Sequence, residues 1–284
     1  MERSAKGTYL SWGPIVFNIG MNTCEELSFA TTQIIVLRKD RSMLRGTGFF
    51  VNVQAGGVTE LILVTNRHVV EDSLKTSMIV SLRNENCVSI GKTQTIDILG
   101  AKWIAHPDPN IDLCCYRATE FRTIVEKKDG VEWFITPFER NQIARREDLM
   151  EYAPTDEVYM VGYPDGLRDV KNNQPFFRRG IMAGIPYLDH NGDEVFVVDM
   201  PVYPGSSGSP VFGIRHGITA KDRRVVFMPQ HDGHVKLLGV MSKTYLHAAN
   251  GEIAISTVGS MLIPNNLGIA IKAYKIFDFE AILV

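Results

Sequence analysis

Short runs of β-branched and aliphatic residues, each ended by a turn, constrain the fold of this chain more than any other feature. The first series includes Thr32–Leu37 and Leu61–Thr65, and a second series begins at Glu157–Tyr163. Between them, residues 119–152 interrupt the pattern with charged residues and helix formers. Several short strands at this spacing are typical of an all-β barrel or sandwich. We therefore predict two β units and a connector with a helical turn or two near residues 139–150.

The end of the chain departs from this pattern. Tyr274, Phe277 and Ala281 recur at helical spacing, so we predict a C-terminal helix that docks on the body. The other β-rich runs are Gly46–Val51, Met78–Leu82, Ile111–Tyr116, Gly180–Ile185, Val195–Val198, Val235–Met241 and Leu267–Ile271.

Length, charge and hydropathy exclude several classes of protein. The 284 residues fit roughly two domains or one double-barrel unit. The 30 Lys and Arg nearly balance the 32 Asp and Glu, which argues against a nucleic-acid binder because such proteins carry a basic balance or stripe. No apolar run in the sequence reaches the roughly 18 residues of a transmembrane helix, so we expect no membrane partner.

The four cysteines indicate a reducing compartment. Cys24, Cys87, Cys114 and Cys115 are not spaced like zinc ligands, and adjacent cysteines rarely pair with each other. We expect four reduced, mostly buried thiols and a cytoplasmic location.

The segment Gly205–Pro210 carries the strongest chemical signal. A serine between glycines in a tight turn exposes its hydroxyl while neighbouring backbone N–H groups point into one small space, as an oxyanion hole requires. The G-x-S-x-G elbow of α/β-hydrolases does not fit, because Ser209 stands where the last glycine would be. Ser207 is therefore a candidate nucleophile.

A serine hydroxyl is a weak nucleophile unless a base, itself held by a third group, activates it. His68 follows a strongly apolar strand, where a solvated loop would not be expected. Asp112 heads the apolar run at 113–115, and a carboxylate that enters a core is unfavourable unless it is paired. The order His, Asp, Ser is that of chymotrypsin-type double barrels, whereas subtilisin-type and α/β-hydrolase enzymes use other orders. We predict a catalytic triad of His68, Asp112 and Ser207.

Three other groups of residues offer weaker alternatives. His106 lies in a Pro-rich turn close in sequence to the acid, so it competes poorly with His68 as the base. His231–His234 includes two histidines in a glycine turn, which is more often a polar surface loop than a metal site. Cys114–Cys115 lies inside an apolar run, so we expect buried thiols rather than a nucleophile. We expect no metal and no cofactor.

The chain resembles a trypsin-like serine peptidase of the chymotrypsin fold, nearest the disulfide-free HtrA-like and bacterial trypsin-like group. The resemblance covers roughly residues 30–275 and includes no extension long enough for a PDZ domain. The matching segments are Gly46–Phe50 before the histidine, Thr65–Val70 around it, Asp112–Leu113 at the acid, and Glu157–Leu167, Arg178–Ala183 and Asn266–Ile271 in the second half.

This resemblance implies an all-β fold of two six-stranded antiparallel β-barrels, a chymotrypsin-like double barrel, with an interbarrel connector and a C-terminal helix. It implies an N-terminal barrel over residues 1–118, a connector over 119–152, and a C-terminal barrel with the terminal helix over 153–284.

The resemblance also implies a role for each site residue. Ser207 attacks the scissile carbonyl, His68 takes and returns the proton, and Asp112 holds the imidazole tautomer. The N–H groups of Gly205 and Ser207 bind the oxyanion, with the Ser206 N–H nearby.

Substrate contacts follow from the same resemblance. Ser242, Lys243 and Thr244 match the strand edge that pairs with the substrate backbone, and the primary specificity pocket draws on residues 198–203 and 242–245. Ser206 stands where secreted trypsins carry the acid that captures a freed N-terminus, so activity should not require N-terminal cleavage.

The leading hypothesis is a serine endopeptidase that acts on a protein or peptide substrate through an acyl-enzyme. The alternatives are a catalytically silent trypsin-like protein that binds peptides or acts as a scaffold, and a viral polyprotein-processing protease of the same fold. The bacterial-type strand motifs count against the viral alternative. A regulatory protein partner stays open.

Overall fold

The structure, a computed structural model, describes residues 23–83, 92–98, 103–215, 217–221, 224–228, 234–253 and 257–284. Within these residues the β-rich runs form strands, and the chain builds two β units one after the other. None of the helices in this described part is long and apolar enough to span a membrane.

The first unit is an antiparallel sheet of eight strands, which follows helix α1 (Thr23–Ala30). A turn at Gly56 and Gly57 joins two of its strands, and both glycines have positive φ values of 56° and 82°, as a two-residue hairpin turn requires. In spatial order the strands are β5 (Thr93–Ile98), β4 (Ser73–Leu82), β1 (Thr31–Arg38), β2 (Met43–Ala55), β3 (Val58–Thr65), β7 (Cys114–Arg117) and β6 (Ile104–Ala105), and β8 (Trp133–Phe134) pairs with β4.

The second unit is a closed, antiparallel, six-stranded barrel. Closure leaves no unpaired edge around the ring and buries one face of every strand. Its strands in order around the barrel are β10 (Phe176–Met182), β11 (Val195–Asp199), β16 (Thr257–Lys272), β15 (His234–Ile253), β12 (Pro210–Arg215) and β9 (Glu157–Gly162), while β13 (Gly217–Lys221) and β14 (Arg224–Met228) form a separate two-stranded sheet.

The predicted fold class is confirmed: the chain is mostly β, with one closed six-stranded barrel and a second sheet, as in a chymotrypsin-like double barrel. The first unit has eight strands instead of the expected six: seven follow one another across the sheet, and β8, inside the connector, pairs with β4 as the eighth. Strands β12, β13 and β14 were not among the predicted runs. We keep the division into residues 1–118, 119–152 and 153–284 as a proposal.

The connector is more helical than the sequence predicted. The expected turns are present as a 3₁₀ helix at Arg140–Gln142 and as α4 (Arg146–Leu149). An additional helix, α3 (Thr119–Asp129), precedes them and ends at Gly130, whose φ of 64° is the left-handed conformation that terminates helices. None of the residues of α3 is fully buried, but Phe121 and Val125, four positions apart, lie partly buried against the core of the first unit. This short apolar stripe indicates an amphipathic helix, and the sequence prediction did not use it.

The tail forms the predicted helix, but with a different buried face. Residues Ala273–Ala281 form a 3₁₀ helix, and Ala273, Ile276 and Phe279 are its buried residues. A 3₁₀ helix has three residues per turn, so every third side chain lies on one face. The predicted docking of the tail is confirmed, and Tyr274 and Phe277 lie partly buried against hydrophobic clusters of the body. Ala281 is exposed, because the three-residue repeat places Ala273, Ile276 and Phe279 on the innermost face.

One hydrophobic cluster joins the two units and the tail, and it fixes the cleft between them. Burial of these side chains removes apolar surface from both units at once, which stabilises their relative placement. The cluster includes Phe49, Val51, Ile62 and Val64 from the first sheet, Val161, Phe212, Leu237 and Val240 from the barrel, and Ile276 and Phe279 from the tail.

Candidate active site

A histidine–carboxylate pair lies where two neighbouring strands of the first sheet meet their loops. Strand β3 ends at Thr65, and the one-turn helix α2 (Arg67–Val70) carries His68. Asp112 lies in the loop between β6 and β7, because β7 begins only at Cys114 rather than at the predicted Ile111. Strands β3 and β7 are hydrogen-bonded neighbours, which brings the two loops together.

Two hydrogen bonds join the pair. His68 Nδ1 lies 2.6 Å from Asp112 Oδ2, and the His68 backbone N–H donates to Asp112 Oδ1 at 3.0 Å. The loop is also held at its backbone, since the Asn66 side-chain amide donates to the Asp112 carbonyl at 2.9 Å. Both carboxylate oxygens are therefore directed at the histidine, and with Nδ1 carrying the proton, Nε2 is left as a proton acceptor.

A serine of the second barrel supports the carboxylate. Ser242 Oγ donates to Asp112 Oδ2 at 2.9 Å. Burial alone would raise the pKa of the Asp112 carboxyl, but the hydrogen bonds from His68 and Ser242 outweigh burial and hold this pKa below its ordinary value. The carboxylate therefore stays charged at neutral pH. The sequence prediction assigned Ser242 to substrate binding and missed its contact with the acid, because no local pattern links residues 130 positions apart.

The candidate nucleophile lies on the turn between β11 and β12. Ser207 Oγ donates to the carbonyl of Ser242 at 3.2 Å. It makes no hydrogen bond to His68, although the structure describes both residues. Ser242 thus contacts two members of the predicted triad, the acid through its hydroxyl and the nucleophile through its carbonyl.

The backbone of this turn presents two unpaired donors. The N–H groups of Gly205 and Ser207 have no acceptor within the described part of the chain, whereas the Ser206 N–H donates to the Tyr203 carbonyl at 3.0 Å. The Pro204 carbonyl accepts from the Asp165 N–H, so the Gly205 N–H, trans to it, points to the opposite side of their peptide. Of the three residues predicted to form an oxyanion hole, Gly205 and Ser207 therefore keep an unpaired N–H group, while the Ser206 N–H is already used within the turn.

The predicted substrate-binding edge has a strand partner on one side. Lys243 and Thr244 pair with Ile269 and Gly268 of β16, while the register of β15 with β12 ends at Val240. The other side of residues 242–244 therefore has no strand partner among the described residues. A cavity of about 290 Å³ lies alongside, lined by Ser242, Lys243 and Tyr245 together with Asp108 and residues 110–112 and 190–195.

The weaker alternatives from the sequence fare differently. The His106 side chain is buried, and its two ring nitrogens contact the Asp108 backbone and the Lys275 carbonyl, so neither is free to act as a base. Burial raises the pKa of the Cys115 thiol to about 12 and that of Cys114 well above its ordinary value, so both stay protonated. The side chains of His231–His234 lie outside the described residues, as does Cys87.

A histidine–carboxylate pair beside a glycine-flanked serine, set between two β units, is typical of hydrolases with a serine nucleophile. A family model described as the trypsin-like peptidase domain matches residues 46–217, well over half of the chain. The chain therefore belongs to the trypsin-like peptidase family, and its enzyme class is that of a serine endopeptidase.

Several solved structures are similar to this chain. The active form of the Rv3671c protease from M. tuberculosis is 16% identical, with 88% of this chain and 78% of that chain covered and a TM-score of 0.43. The HtrA-type protease AlgW with a tripeptide is 13% identical, with a TM-score of 0.46. The match covers 87% of this chain but only 57% of that chain, so this chain spans little more than half of AlgW. HL collagenase is 10% identical, with 89% of this chain and 91% of that chain covered and a TM-score of 0.47. A comparison with curated protein sequences finds no match.

Proposed function

We propose that the protein hydrolyses peptide bonds through a triad of Ser207, His68 and Asp112 and a covalent acyl-enzyme. The observation that carries this proposal is the 2.6 Å contact between His68 Nδ1 and Asp112 Oδ2, next to a glycine-flanked serine with unpaired backbone donors. A carboxylate at Nδ1 fixes the imidazole tautomer that accepts a proton at Nε2.

In the acylation step, Ser207 Oγ bonds to the substrate carbonyl carbon while its proton passes to His68 Nε2. The carbonyl oxygen gains negative charge, which the N–H groups of Gly205 and Ser207 stabilise. The C–N bond then breaks, and His68 returns the proton to the leaving amine. A water molecule repeats the sequence to release the acid and restore Ser207.

The Ser207 hydroxyl must turn to reach the base. In the structure it donates to the Ser242 carbonyl, so the proposed mechanism requires a rotation about its side-chain bond that exchanges this acceptor for His68 Nε2. Catalytic hydrogen bonds are often long or misaligned without substrate and tighten only in the complex. The same Ser207–Ser242 bond favours the second candidate, a catalytically silent protein that binds peptides.

A fluorophosphonate probe separates the two candidates, because it reacts with an activated serine and not with an idle one. We expect the wild-type protein to be labelled at Ser207 and to cleave members of a peptide library. Ser207→Ala should be folded, unlabelled and slower by roughly 10⁶-fold. A folded wild-type protein that takes no label and cleaves no peptide would instead support the silent candidate.

The substrate class and compartment complete the proposal. The substrate is a protein or peptide whose backbone pairs with residues 242–244, and no nucleic acid, membrane or cofactor takes part. The buried, protonated thiols of Cys114 and Cys115 support a reducing compartment, the cytoplasm.

A further inference from the structure

Thr47 is a buried polar residue at the centre of the contact between the two units. It lies on β2 of the first sheet, its side chain is fully buried, and it is not part of the predicted site. Buried polar groups persist in a core where hydrogen bonds satisfy them. The partners of Thr47 therefore indicate what it does.

Two hydrogen bonds run from Thr47 to the turn that carries the nucleophile. Its backbone N–H donates to the Ser207 carbonyl at 2.9 Å, and its hydroxyl donates to the Gly205 carbonyl at 2.9 Å. Both acceptors belong to the residues that present the oxyanion donors. Thr47 thus joins the sheet that carries His68 and Asp112 to the oxyanion turn of the barrel.

Two further hydrogen bonds fix Thr47 itself. The Tyr163 N–H donates to Thr47 Oγ1 at 3.1 Å, and the Thr65 hydroxyl donates to the Thr47 carbonyl at 2.8 Å. Because the Thr47 hydroxyl accepts from Tyr163, its own proton is committed to Gly205. The fit is close, since a Cβ on Gly208 would lie 2.0 Å from the Thr47 carbonyl oxygen.

Gly205 needs this support because glycine rotates more freely than any other residue. Its φ is 86°, and the peptide on each side of its Cα is held by a separate hydrogen bond. The Asp165 N–H holds the Pro204 carbonyl, and the Thr47 hydroxyl holds the Gly205 carbonyl. The second peptide is also held at its other end, where the Ser206 N–H donates to the Tyr203 carbonyl. Loss of the Thr47 bond leaves the Gly205 carbonyl without this donor, so the φ and ψ of Gly205, which set the direction of its N–H relative to Ser207, are less tightly fixed.

We propose that Thr47 is the positioning residue of the oxyanion hole: its hydroxyl holds Gly205 in the conformation that aims the Gly205 N–H at the substrate. This inference rests on the proposed function. Stabilisation of the oxyanion acts in the transition state, so the effect of Thr47 falls on kcat rather than on KM.

Four proteins test the inference: wild type, Thr47→Val, Thr47→Ser and Thr32→Val. Valine keeps the shape of threonine without the hydroxyl, and serine keeps the hydroxyl without the methyl group. Thr32 is the matched control, because it is buried, pairs with Gly48 across the same sheet, and donates its hydroxyl to the Ile79 carbonyl at 2.8 Å, within the first unit. The readouts are kcat and KM on a fluorogenic peptide that the wild type cleaves, and the pH profile of kcat.

We expect Thr47→Val to lower kcat roughly 10- to 100-fold, with KM within about threefold of wild type. The midpoint of its pH profile should stay in place, because the His68–Asp112 pair is untouched. Thr47→Ser should recover kcat to within about threefold. Thr32→Val should keep the wild-type kcat despite its lost buried hydrogen bond.

Three results would overturn the inference. They are a Thr47→Val protein with wild-type kcat, a Thr47→Ser protein as impaired as Thr47→Val, and a shifted pH midpoint, which would place the effect at the base. If the valine variant does not fold, Thr47→Cys replaces it under the same criteria, since a thiol is a weaker donor of similar size. A wild-type protein that neither takes the fluorophosphonate label nor cleaves peptides would contradict the proposed function itself. An active wild type whose Thr47→Val variant is equally active would contradict only the role of Thr47.

Discussion

The two halves of the candidate site differ in how completely their hydrogen bonds are formed. In the first unit, His68 and Asp112 are joined directly, with a 2.6 Å contact between side chains and a second bond from the His68 backbone. In the second unit, the backbone around Ser207 is held by Thr47, but the Ser207 hydroxyl faces the Ser242 carbonyl. The histidine–carboxylate pair is therefore formed in the structure, whereas the Ser207 hydroxyl is hydrogen-bonded to Ser242 and not to His68.

This difference follows from what each half must do. In the proposed mechanism the imidazole keeps one orientation while Nε2 gains and loses a proton, so fixed bonds from Nδ1 and the backbone to the carboxylate are an advantage. The serine oxygen exchanges its proton and bonds covalently to the substrate, so its side chain must move while its backbone stays still. Changes in either half should therefore act on chemistry, and the larger cost in folding stability should come from changes in the tightly packed turn.

The largest effect should come from the acid. We expect Asp112→Asn to lower kcat by about 10⁴-fold, because an amide donates where the carboxylate accepts and so favours the wrong imidazole tautomer. Asp97→Asn is the matched control, since Asp97 also accepts a serine hydroxyl, from Ser77 at 2.8 Å, but on the far strands of the first sheet. Steady-state kinetics should give Asp97→Asn a wild-type kcat. Similar losses in both variants would contradict a special role for Asp112.

Asp112→Asn should also change how the thermal stability of the protein depends on pH. The hydrogen bonds from His68 and Ser242 outweigh the effect of burial and hold the pKa of the Asp112 carboxyl below its ordinary value of 3.8. A group whose pKa is lowered on folding stabilises the protein above its unfolded pKa, and this stabilisation is lost as pH falls through the folded pKa. Asp112→Asn should therefore melt below wild type at pH 7, and the difference should narrow below about pH 4. A difference that widens in acid would contradict the pKa shift.

The next largest effect should come from the turn, through Gly208. Its φ is 85°, and an added Cβ would lie 2.0 Å from the Thr47 carbonyl oxygen and 2.5 Å from Thr65 Oγ1. Gly57 has nearly the same φ, 82°, with nothing within 4 Å of an added Cβ. We expect Gly57→Ala to lower the free energy of unfolding by about 1 kcal/mol, from backbone strain alone. Gly208→Ala should cost roughly 3 kcal/mol or more and abolish peptide cleavage, because overpacking adds to the strain.

Urea unfolding of both variants measures this difference directly. The Gly57→Ala protein should keep the wild-type kcat. Its turn joins β2 to the start of β3, whereas His68 follows the end of β3. Equal destabilisation by the two substitutions would show that the approach of Thr47 to the turn is looser than the structure has it.

The sequence predicted the strands and the site motifs better than it predicted how they connect. β3 and β9 match their apolar runs to within a few residues, because a buried strand needs a continuous apolar sequence. Helix α3 was missed although Phe121 and Val125 are four positions apart on one face, because this apolar stripe is short, is surrounded by charged residues and contains no fully buried residue. The tail is a helix that docks on the body, as predicted, but its fully buried residues Ala273, Ile276 and Phe279 follow the three-residue repeat of a 3₁₀ helix, and the sequence alone did not distinguish this repeat from an α-helical one.

For the site, the sequence singled out residues with unusual local surroundings. Ser207 lies between glycines, and His68 and Asp112 are polar residues at the borders of apolar runs. Thr47 has no such signal, since a threonine in a β-rich run is ordinary. Its partners are 18 to 158 positions away in the chain, and only the packing of the two units brings them together.

The smallest expected effect concerns the N-terminus. It tests whether the turn that carries Ser207 is ordered without any contribution from the first residues of the chain. Ser206 is fully buried, its N–H donates to the Tyr203 carbonyl at 3.0 Å, and its hydroxyl accepts from the Tyr203 N–H at 3.3 Å. These bonds order the turn locally, and a serine cannot form the ion pair through which a freed N-terminal amine acts in secreted trypsins. Proteins that lack residues 1–7, or that carry an N-terminal tag, should therefore have the kcat/KM of the intact chain. Activity that appears only after N-terminal cleavage would mean that the order of the turn depends on the N-terminus. The statement that hydrogen bonds within the protein already order the turn around Ser207 would then be wrong.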